Sequence, residues 1–140
     1  MSDQIASTPR VFIMRHASAR KTSWAKIGRY TGITEVGLTE TGIVQVSTTA
    51  NTFVGARKLI DPSILAHVFV SPRMRAKDTL KILLSESTNM RVTETEDIAE
   101  WAYGDYEGKT TGEIRLSRKE RGLDLEKEWS IWRDGCEGGE

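Results

Sequence analysis

The chain has 140 residues, enough for one domain with a buried core that needs no disulfide bridges. Its 20 basic and 20 acidic residues balance, so no global field attracts nucleic acid or an anionic membrane. The single cysteine excludes an intramolecular disulfide, and no apolar run approaches the roughly 20 residues of a membrane span or the core of a signal peptide. We therefore expect a cytoplasmic protein with neither nucleic-acid nor membrane partners, and the sequence assigns no oligomeric state.

The first element predicted along the chain is a buried strand, Val11–Met14, that stops abruptly at Arg15-His16. Ligands of parallel sheets collect at the carboxyl ends of strands, where an imidazole can act as nucleophile or base and a guanidinium favours an anion. By itself such a pair is more often the polar end of an ordinary strand, so its interpretation depends on a second basic site downstream. The polar stretch 21–37 follows, too long for a tight turn and of a length that is often functional.

A helix is predicted next, from Thr39 as N-cap to Val54, because apolar residues recur at three- and four-residue spacing. Residues 64–70 are almost all apolar, which predicts a strand buried on both faces, and a Ser-Pro pair ends it. His67 lies inside that run, where a hydrogen-bonded core histidine is much more common than a catalytic one.

The alternation of helix and strand continues downstream. Apolar spacing over 76–84 predicts a second helix, and Met90–Thr93 is a weaker strand candidate. Thr110 and Glu113 have the spacing of a capping box that opens a third helix, which Gly122 would end. This alternation predicts an α/β fold of three layers, with helices flanking a mainly parallel sheet, in a single domain.

A second basic strand end carries Arg73 and Arg75, directly after the Ser-Pro pair and at the start of the second helix. Free N–H groups and the dipole make a helix N-terminus attractive to anions, and an Arg fork adds bidentate contacts. A solvated basic helix start is the alternative, but a cation in the first turn opposes the dipole unless it has an anionic partner. Together with Arg15-His16, this segment predicts a two-sided phosphate cradle around an imidazole.

The acidic and aromatic loop Glu100–Gly108 is the third candidate. Aromatic neighbours can shield a carboxyl from water and favour its protonated form, as a general acid requires. A polar loop that anchors rings on the core is the more common alternative. Two histidines argue against a metal site, and the chain has neither a nucleotide-binding P-loop nor a nucleophile elbow.

Five motifs occur in an order known from one family. They are Arg15-His16, Tyr30-Thr31-Gly32, Leu38-Thr39-x-x-Gly42, Ser71-Pro72-x-x-Arg75-Ala76-x-x-Thr79 and Glu100-x-x-x-Gly104-x-x-Glu107-Gly108. On these motifs the chain, from about Val11 to its last residue, resembles the histidine phosphatase (phosphoglycerate-mutase-like) superfamily. The wording around Glu100 and Trp129 is most similar to the fungal sedoheptulose-1,7-bisphosphatase branch.

The resemblance implies a phosphohistidine mechanism. His16 would attack phosphorus while Arg15 and Arg75 neutralise the phosphoryl oxygens. Glu100 would protonate the leaving alkoxide and then activate the water that releases phosphate. The substrate side of the pocket would be lined by Tyr30, Thr31 and Gly32. Arg73 stands at a variable family position and receives no role, and the family reaction uses neither a metal nor another cofactor.

The implied function is that of a phosphatase for a small phosphorylated metabolite, a sugar bisphosphate such as sedoheptulose 1,7-bisphosphate. One alternative is a non-catalytic phosphate- or partner-binding pseudo-phosphatase, a truncated paralogue that keeps Arg15 and Arg75. Another is a phosphotransferase of the phosphoglycerate mutase type.

Two departures from the family pattern are visible in the chain. Ala17 stands where the family has glycine, and a short insertion precedes Thr22-Ser23-Trp24. The family also carries a later histidine, in a His-Gly pair, for which neither His67 nor any other residue of the chain substitutes. We therefore expect residues 1–140 to be the N-terminal portion of a longer histidine phosphatase domain, or a truncated paralogue, with one sheet edge unpaired.

Overall fold

The computed structural model describes residues 8–19, 27–85 and 90–139, so the insertion predicted before Thr22 lies outside the described residues. The chain divides into two compact units, each with its own hydrophobic core. Unit 1 comprises Met1–Arg20 and Glu35–Ala99, and unit 2 comprises Lys21–Thr34 and Glu100–Glu140. No helix of the described ranges is long and apolar enough to cross a membrane.

Unit 1 contains two helices that pack together, α1 over Glu40–Phe53 and α2 over Met74–Leu83. Thr39 is the N-cap of α1, as predicted, and its hydroxyl oxygen accepts a hydrogen bond from the N–H of Gly42 at 2.9 Å. Arg75 is the second residue of α2, so the predicted basic helix start is confirmed. The core of unit 1 is formed by aliphatic side chains from the two helices and their flanking residues, Leu38, Val46, Leu83 and Leu84.

The sheet that the described residues of unit 1 form has two parallel strands, β1 over Val68–Val70 and β2 over Val92–Glu94, with Val68 opposite Val92. Because α2 lies between these strands in the chain, they make a β–α–β unit, which confirms the α/β class with a parallel sheet. β1 is shorter than the apolar run 64–70 that predicted it, and a 3₁₀ turn at Pro62–Ile64 includes the first residue of that run. β2 begins two residues later than the predicted strand Met90–Thr93 and ends one residue beyond it.

The expected burial of residues 64–70 on both faces is wrong. Phe69 is 60% exposed whereas its neighbour Val70 is buried, so β1 is covered on one face only. His67 is not a core residue either, because its exposed ring stacks on Phe69 and its Nε2 forms a hydrogen bond with the Thr93 hydroxyl at 2.8 Å. An apolar run does not distinguish one covered face from two, since the second covering layer comes from elsewhere in the chain.

The strand predicted at Val11–Met14 is not formed. These residues belong to the described range 8–19, and they pair with no strand in any of the described ranges. Val11 is 83% exposed and Ile13 is 93% exposed. A strand exists only where a neighbour satisfies its N–H and C=O groups, so an apolar run alone does not create one. The prediction that Arg15-His16 ends a buried strand is therefore wrong.

Unit 2 is built on α3, Thr111–Glu120, and the short helix α4, Ile131–Asp134. The predicted capping box is confirmed, because the N–H of Glu113 donates to the Thr110 hydroxyl and the Glu113 carboxylate accepts from the Thr110 N–H. Gly122 follows the helix with a φ of 75°, the left-handed conformation in which glycine commonly ends a helix, so this boundary is also confirmed.

Aromatic rings form the core of unit 2. The side chain of Trp129 is fully buried, and the ring of Tyr106 meets it edge-on with ring centroids 5.2 Å apart. Ile114 on α3 is also fully buried and packs in the same cluster. The loop Glu100–Gly108, for which the sequence allowed either a catalytic or an anchoring role, therefore anchors at least one ring, that of Tyr106, in the core.

A guanidinium adds polar contacts around this aromatic core. Arg118 donates to the carboxylates of Asp124 and Glu137 at 2.7 and 2.6 Å and to the hydroxyl of Tyr106 at 2.9 Å. The hydrogen bonds from Arg118 hold the pKa of Asp124 below its ordinary value, and those from Arg121 are the main cause of the lowered pKa of Glu137. Arg118 on α3 thus joins three separate parts of the chain, at Tyr106, Asp124 and Glu137.

Candidate functional site

The His16 segment, which we define as residues 15–19, is held at the N-terminus of α1. The carbonyl of Ser18 accepts hydrogen bonds from the N–H and the hydroxyl of Thr39 at 2.9 and 3.1 Å. A Cβ atom at Gly42 would overlap the Ser18 carbonyl oxygen, so this close approach requires glycine. The Thr-x-x-Gly motif of the sequence therefore both caps a helix and fixes the segment that carries the imidazole.

The imidazole of His16 is fixed by the residue that follows it. Its Nδ1 atom lies 2.8 Å from the carbonyl oxygen of Ala17. Since a carbonyl can only accept a hydrogen bond, this contact requires a proton on Nδ1, and in the neutral form of the ring Nε2 then carries the lone pair. The side chain is partly buried. This is the protonation pattern that a nucleophilic imidazole requires.

Arg75 and Thr79 lie one turn apart on α2, and both side chains are buried. The hydroxyl of Thr79 donates to the carbonyl of Arg75 at 2.8 Å and accepts from the N–H of Ala17 at 3.4 Å. Arg15, itself exposed, lines a cavity of about 200 Å³ together with Ala17 and Thr79. The hydroxyl of Thr79 thus connects the His16 segment with the first turn of α2.

The first turn of α2 has carboxylate partners that the sequence interpretation missed. Arg73 pairs with Glu96 at 3.0 Å and lies 3.9 Å from Glu35, whose Oε2 accepts the N–H of Met74 at 2.8 Å. A carboxylate at a helix N-terminus interacts favourably with the helix dipole and offsets the cations that the sequence places there. Glu35 precedes Met74 by 39 positions, so no local pattern could reveal this contact.

The three predicted substrate-side residues, Tyr30, Thr31 and Gly32, lie in a loop of unit 2. The N–H of Tyr30 donates to the carbonyl of residue 109 at 3.0 Å, and its carbonyl accepts from the N–H of residue 108 at 2.8 Å. A Cβ atom at Gly32 would overlap the carbonyl oxygen of Trp101, so the loop can take this path only with glycine at that position.

Glu107 holds the same loop through its carboxylate. Its oxygens accept hydrogen bonds from the N–H of Gly32 at 2.9 Å, from the N–H of Thr34 at 3.1 Å and from the Thr34 hydroxyl. In the sequence Asp105 and Glu107, two further carboxylates of the same loop, compete with Glu100 for the role of general acid. In the structure the Glu107 carboxylate instead holds the loop at Gly32 and Thr34, a role that the motif did not predict.

Glu100, the predicted general acid and base, is exposed. The Tyr103 hydroxyl donates to its Oε1 at 3.3 Å, and the N–H of Trp101 lies 3.4 Å from the same atom. The expectation that aromatic neighbours shield this carboxyl is wrong, because Trp101 is itself exposed. Burial, followed by the nearby charge of Glu100, raises the pKa of Tyr103 to about 12, so its phenol donates to the carboxylate at neutral pH.

The predicted site residues divide between the two units. The phosphate-binding candidates Arg15, His16 and Arg75 belong to unit 1, whereas Glu100 and the substrate-side loop belong to unit 2. No cluster of three or more potential metal ligands occurs in the part of the chain that the structure describes.

Residues 11–140 match the family model of the histidine phosphatase superfamily, branch 1. The chain belongs to this superfamily. This histidine phosphatase chain is 43% identical over 138 residues to sedoheptulose 1,7-bisphosphatase of Saccharomyces cerevisiae, covering 95% of the chain and 50% of the yeast protein. It is 39% identical over 134 residues to an acid phosphatase of Mycobacterium tuberculosis, covering 94% of the chain and 55% of that protein.

Solved structures share the fold of this chain. A structure of a Mycobacterium tuberculosis protein matches with a TM-score of 0.58 at 35% identity, over 89% of the chain and 54% of its own length. The α-ribazole phosphatase of Shigella flexneri matches with a TM-score of 0.63 over 91% of the chain and 56% of its own, at 19% identity, which bears on the fold alone. The chain spans about half the length of the curated relatives it matches. The resemblance derived from the five motifs is confirmed.

Proposed function

We propose that this chain supplies the phosphate-binding part of a phosphatase that acts through a phosphohistidine at His16. The observation that carries the proposal is the hydrogen bond between Nδ1 of His16 and the carbonyl of Ala17. With Nδ1 protonated, the lone pair on Nε2 can attack phosphorus without a separate base. The transfer forms an Nε2–P bond and breaks the bond between phosphorus and the ester oxygen.

Two guanidinium groups support this proposal. Arg15 precedes His16 in the chain and lines a cavity together with Ala17 and Thr79, and Arg75 lies buried in the first turn of α2. Both would neutralise phosphoryl oxygens, whose charge must be stabilised during transfer.

Glu100 is proposed as the proton donor and acceptor. As acid it would protonate the leaving alkoxide. As base it would take a proton from the water that attacks phosphorus, which forms an O–P bond, breaks the Nε2–P bond and releases inorganic phosphate and the free imidazole. Its support is the match to the superfamily motif and the engagement of the competing Glu107 with backbone N–H groups. Tyr30, Thr31 and Gly32 would line the substrate side.

The proposed substrate is a small phosphorylated metabolite, and sugar bisphosphates are the first class to test. The support is the 43% identity to a yeast protein named sedoheptulose 1,7-bisphosphatase. The test is release of inorganic phosphate from sedoheptulose 1,7-bisphosphate and a panel of other sugar bisphosphates and monophosphates. Equal release from every ester would contradict a bisphosphate preference.

The phosphohistidine step is tested by trapping the protein with labelled phosphate ester and comparing His16→Ala with His67→Ala. The chain has two histidines, so His67→Ala is a matched control. We expect label that is lost in acid and retained in alkali, present in the parent and in His67→Ala, and absent from His16→Ala. Label on a serine or on Cys136, or full turnover by His16→Ala, would refute the mechanism.

The role of Glu100 is tested by Glu100→Gln with two substrates. A sugar phosphate needs a proton on its leaving alkoxide, whereas an activated aryl phosphate does not, so turnover of the sugar phosphate should fall far more. Equal loss with both substrates, or no loss, would assign the acid to another residue.

A second candidate function is phosphate binding without turnover. The superfamily pattern includes a second histidine in the phosphate pocket, and His67 is the other histidine of this chain. His67 does not supply that group, because its side chain is exposed next to β1 and bonded to Thr93, and this favours binding without turnover. Vanadate binding that depends on His16 and Arg75, with no phosphate released from any ester, would support this function over catalysis.

A further inference from the structure

Thr79 makes two hydrogen bonds with one hydroxyl group. The group donates to the carbonyl of Arg75 at 2.8 Å and accepts from the N–H of Ala17 at 3.4 Å. A hydroxyl has one proton and two lone pairs, so both bonds are compatible. The residue is buried, which makes water a poor substitute for either partner.

The bond to Ala17 separates Thr79 from other threonines on helices of this chain. Thr52 on α1 also donates to the carbonyl four residues earlier, at 2.8 Å, but its side chain is exposed. This backward bond is common for threonine and carries no functional meaning. In Thr79 the acceptor side of the same group is directed at the segment that carries the imidazole.

Ala17 is the residue through which this contact reaches His16. Its N–H is bound by Thr79, and its carbonyl accepts the Nδ1 proton of His16. The next carbonyl, that of Ser18, is held by Thr39. The orientation of the Ala17 carbonyl therefore decides which nitrogen of the imidazole keeps its lone pair. This carbonyl shares a peptide plane with the N–H of Ser18, which donates to Oε1 of Gln45 on α1 at 3.2 Å, and the N–H on the other side of Ala17 is tied to α2 by Thr79.

We propose that Thr79 is a positioning residue, whose hydroxyl fixes the His16 imidazole in its Nδ1-protonated form and sets its distance from Arg75. In the proposed function one phosphoryl group would meet both the lone pair on Nε2 and the guanidinium of Arg75. The statement about the imidazole stands on the structure alone, and the statement about phosphate rests on the proposed function.

The first experiment measures the imidazole nitrogens by ¹⁵N NMR in Thr79→Val, Thr79→Ser and the control Thr52→Val. Valine keeps the shape of threonine and removes the hydroxyl, serine keeps the hydroxyl, and His67 is an internal reference in every sample. We expect the Nδ1–H form of His16 to dominate in the parent, in Thr79→Ser and in Thr52→Val. In Thr79→Val the ring should shift toward Nε2–H, the form that free histidine prefers. An unchanged His16 spectrum in Thr79→Val would overturn the proposal.

The second experiment measures vanadate affinity of the same variants. Loss of the hydroxyl leaves a donor without its partner, so affinity in Thr79→Val should fall by about tenfold, and in Thr79→Ser and Thr52→Val by less than about threefold. Affinity in Thr79→Val equal to that of the parent would refute the part of the proposal that concerns phosphate.

The two proposals fail in different ways. If His16→Ala and Arg75→Ala bind vanadate as well as the parent, the proposed phosphate site is wrong, and the NMR comparison still decides the role of Thr79 on the imidazole. If Thr79→Val does not fold, Thr79→Ala and Thr79→Ser give the same contrast, because both lack the methyl group and only serine keeps the hydroxyl. Identical His16 spectra in this second pair would overturn the proposal.

Discussion

The two units of the molecule hold their candidate functional residues by different means. Unit 1 has an aliphatic core on α1 and α2. The His16 segment is attached to it by a hydrogen bond that the Thr39 hydroxyl donates to the carbonyl of Ser18 and by one that the Thr79 hydroxyl accepts from the N–H of Ala17. Unit 2 has an aromatic core around Trp129, and its substrate-side loop is held by the carboxylate of Glu107. In unit 1, therefore, side-chain hydrogen bonds hold the candidate segment against the helices, whereas in unit 2 buried rings form the core on which the loop is built.

The largest expected effect is that of removing the ring at the centre of unit 2. Trp129 is fully buried, and its Nε1 donates to the carbonyl of Gly135 at 3.0 Å. Trp129→Ala should lower the free energy of unfolding by about 3–5 kcal/mol, the usual cost of deleting a buried aromatic side chain. Urea unfolding followed by circular dichroism measures this.

The matched control is Trp132→Ala, three positions later, where the side chain is 86% exposed. It should change the free energy of unfolding by no more than about 0.5 kcal/mol. Similar losses in the two variants would mean that Trp129 is not the centre of unit 2.

A smaller effect is expected from Glu107→Gln, which replaces one carboxylate oxygen with an NH₂ group that cannot accept from backbone N–H groups. The loop at Gly32 and Thr34 would then lose part of its support, at a cost of about 1–3 kcal/mol for buried donors left without a partner. The exposed Glu120, at the end of α3, provides the same substitution without that cost. Equal unfolding midpoints for the two variants would remove Glu107 from its structural role.

The two N-cap threonines offer a direct comparison of the units. Thr39→Ala and Thr110→Ala each remove a helix cap, so each should cost about 1 kcal/mol in the free energy of unfolding. Thr39 additionally donates to the carbonyl of Ser18, so only Thr39→Ala should alter the ¹⁵N spectrum of His16. A changed His16 spectrum in Thr110→Ala alone would contradict the division of tasks between the units.

The smallest expected effect is a loss of stability at low pH. Among the described carboxyls, most of those with a lowered pKa lie in unit 2, namely Glu113, Asp124, Asp134 and Glu137, and Asp61 lies in unit 1. The causes are hydrogen bonds, chiefly from arginines and backbone N–H groups in unit 2 and from Ser63 in unit 1. Such groups stabilise the folded chain above the pKa of the unfolded chain, and this stabilisation is lost as the pH falls through the lower folded pKa.

We therefore expect amide protection in unit 2 to decline below about pH 4 before protection in unit 1 does. Hydrogen exchange at pH 6, 4 and 3 measures this difference, and salt should reduce it because the carboxylates are near the surface. Asp124→Asn removes one of these carboxylates, so the amide protection of unit 2 should fall less between pH 6 and pH 3 in this variant. Greater loss of protection in unit 1 would show that the aromatic unit is not the acid-sensitive one.

The elements that the sequence predicted correctly are those whose signals are local. Thr39 and Thr110 are three positions from the N–H groups they accept from, so the sequence alone located both helix starts. The five ordered motifs likewise identified the superfamily, since motif wording and order are properties of the chain itself. The roles of His16, Arg75 and Glu100 remain predictions that the proposed experiments test.

Contacts between distant residues were decided by the tertiary structure alone. Val11–Met14 has the composition of a strand, but whether a strand forms depends on a neighbour that the composition does not specify. The carboxylates of Glu35 and Glu107 are bound to N–H groups 39 and 75 positions away, and the N–H of Ala17 meets Thr79 across 62 positions. Periodicity and capping act over a few residues, whereas these bonds depend on how the whole chain folds back on itself. The sequence therefore determined the three longer helices and the family, and the tertiary structure decided which side chains hold the imidazole and the loops in place.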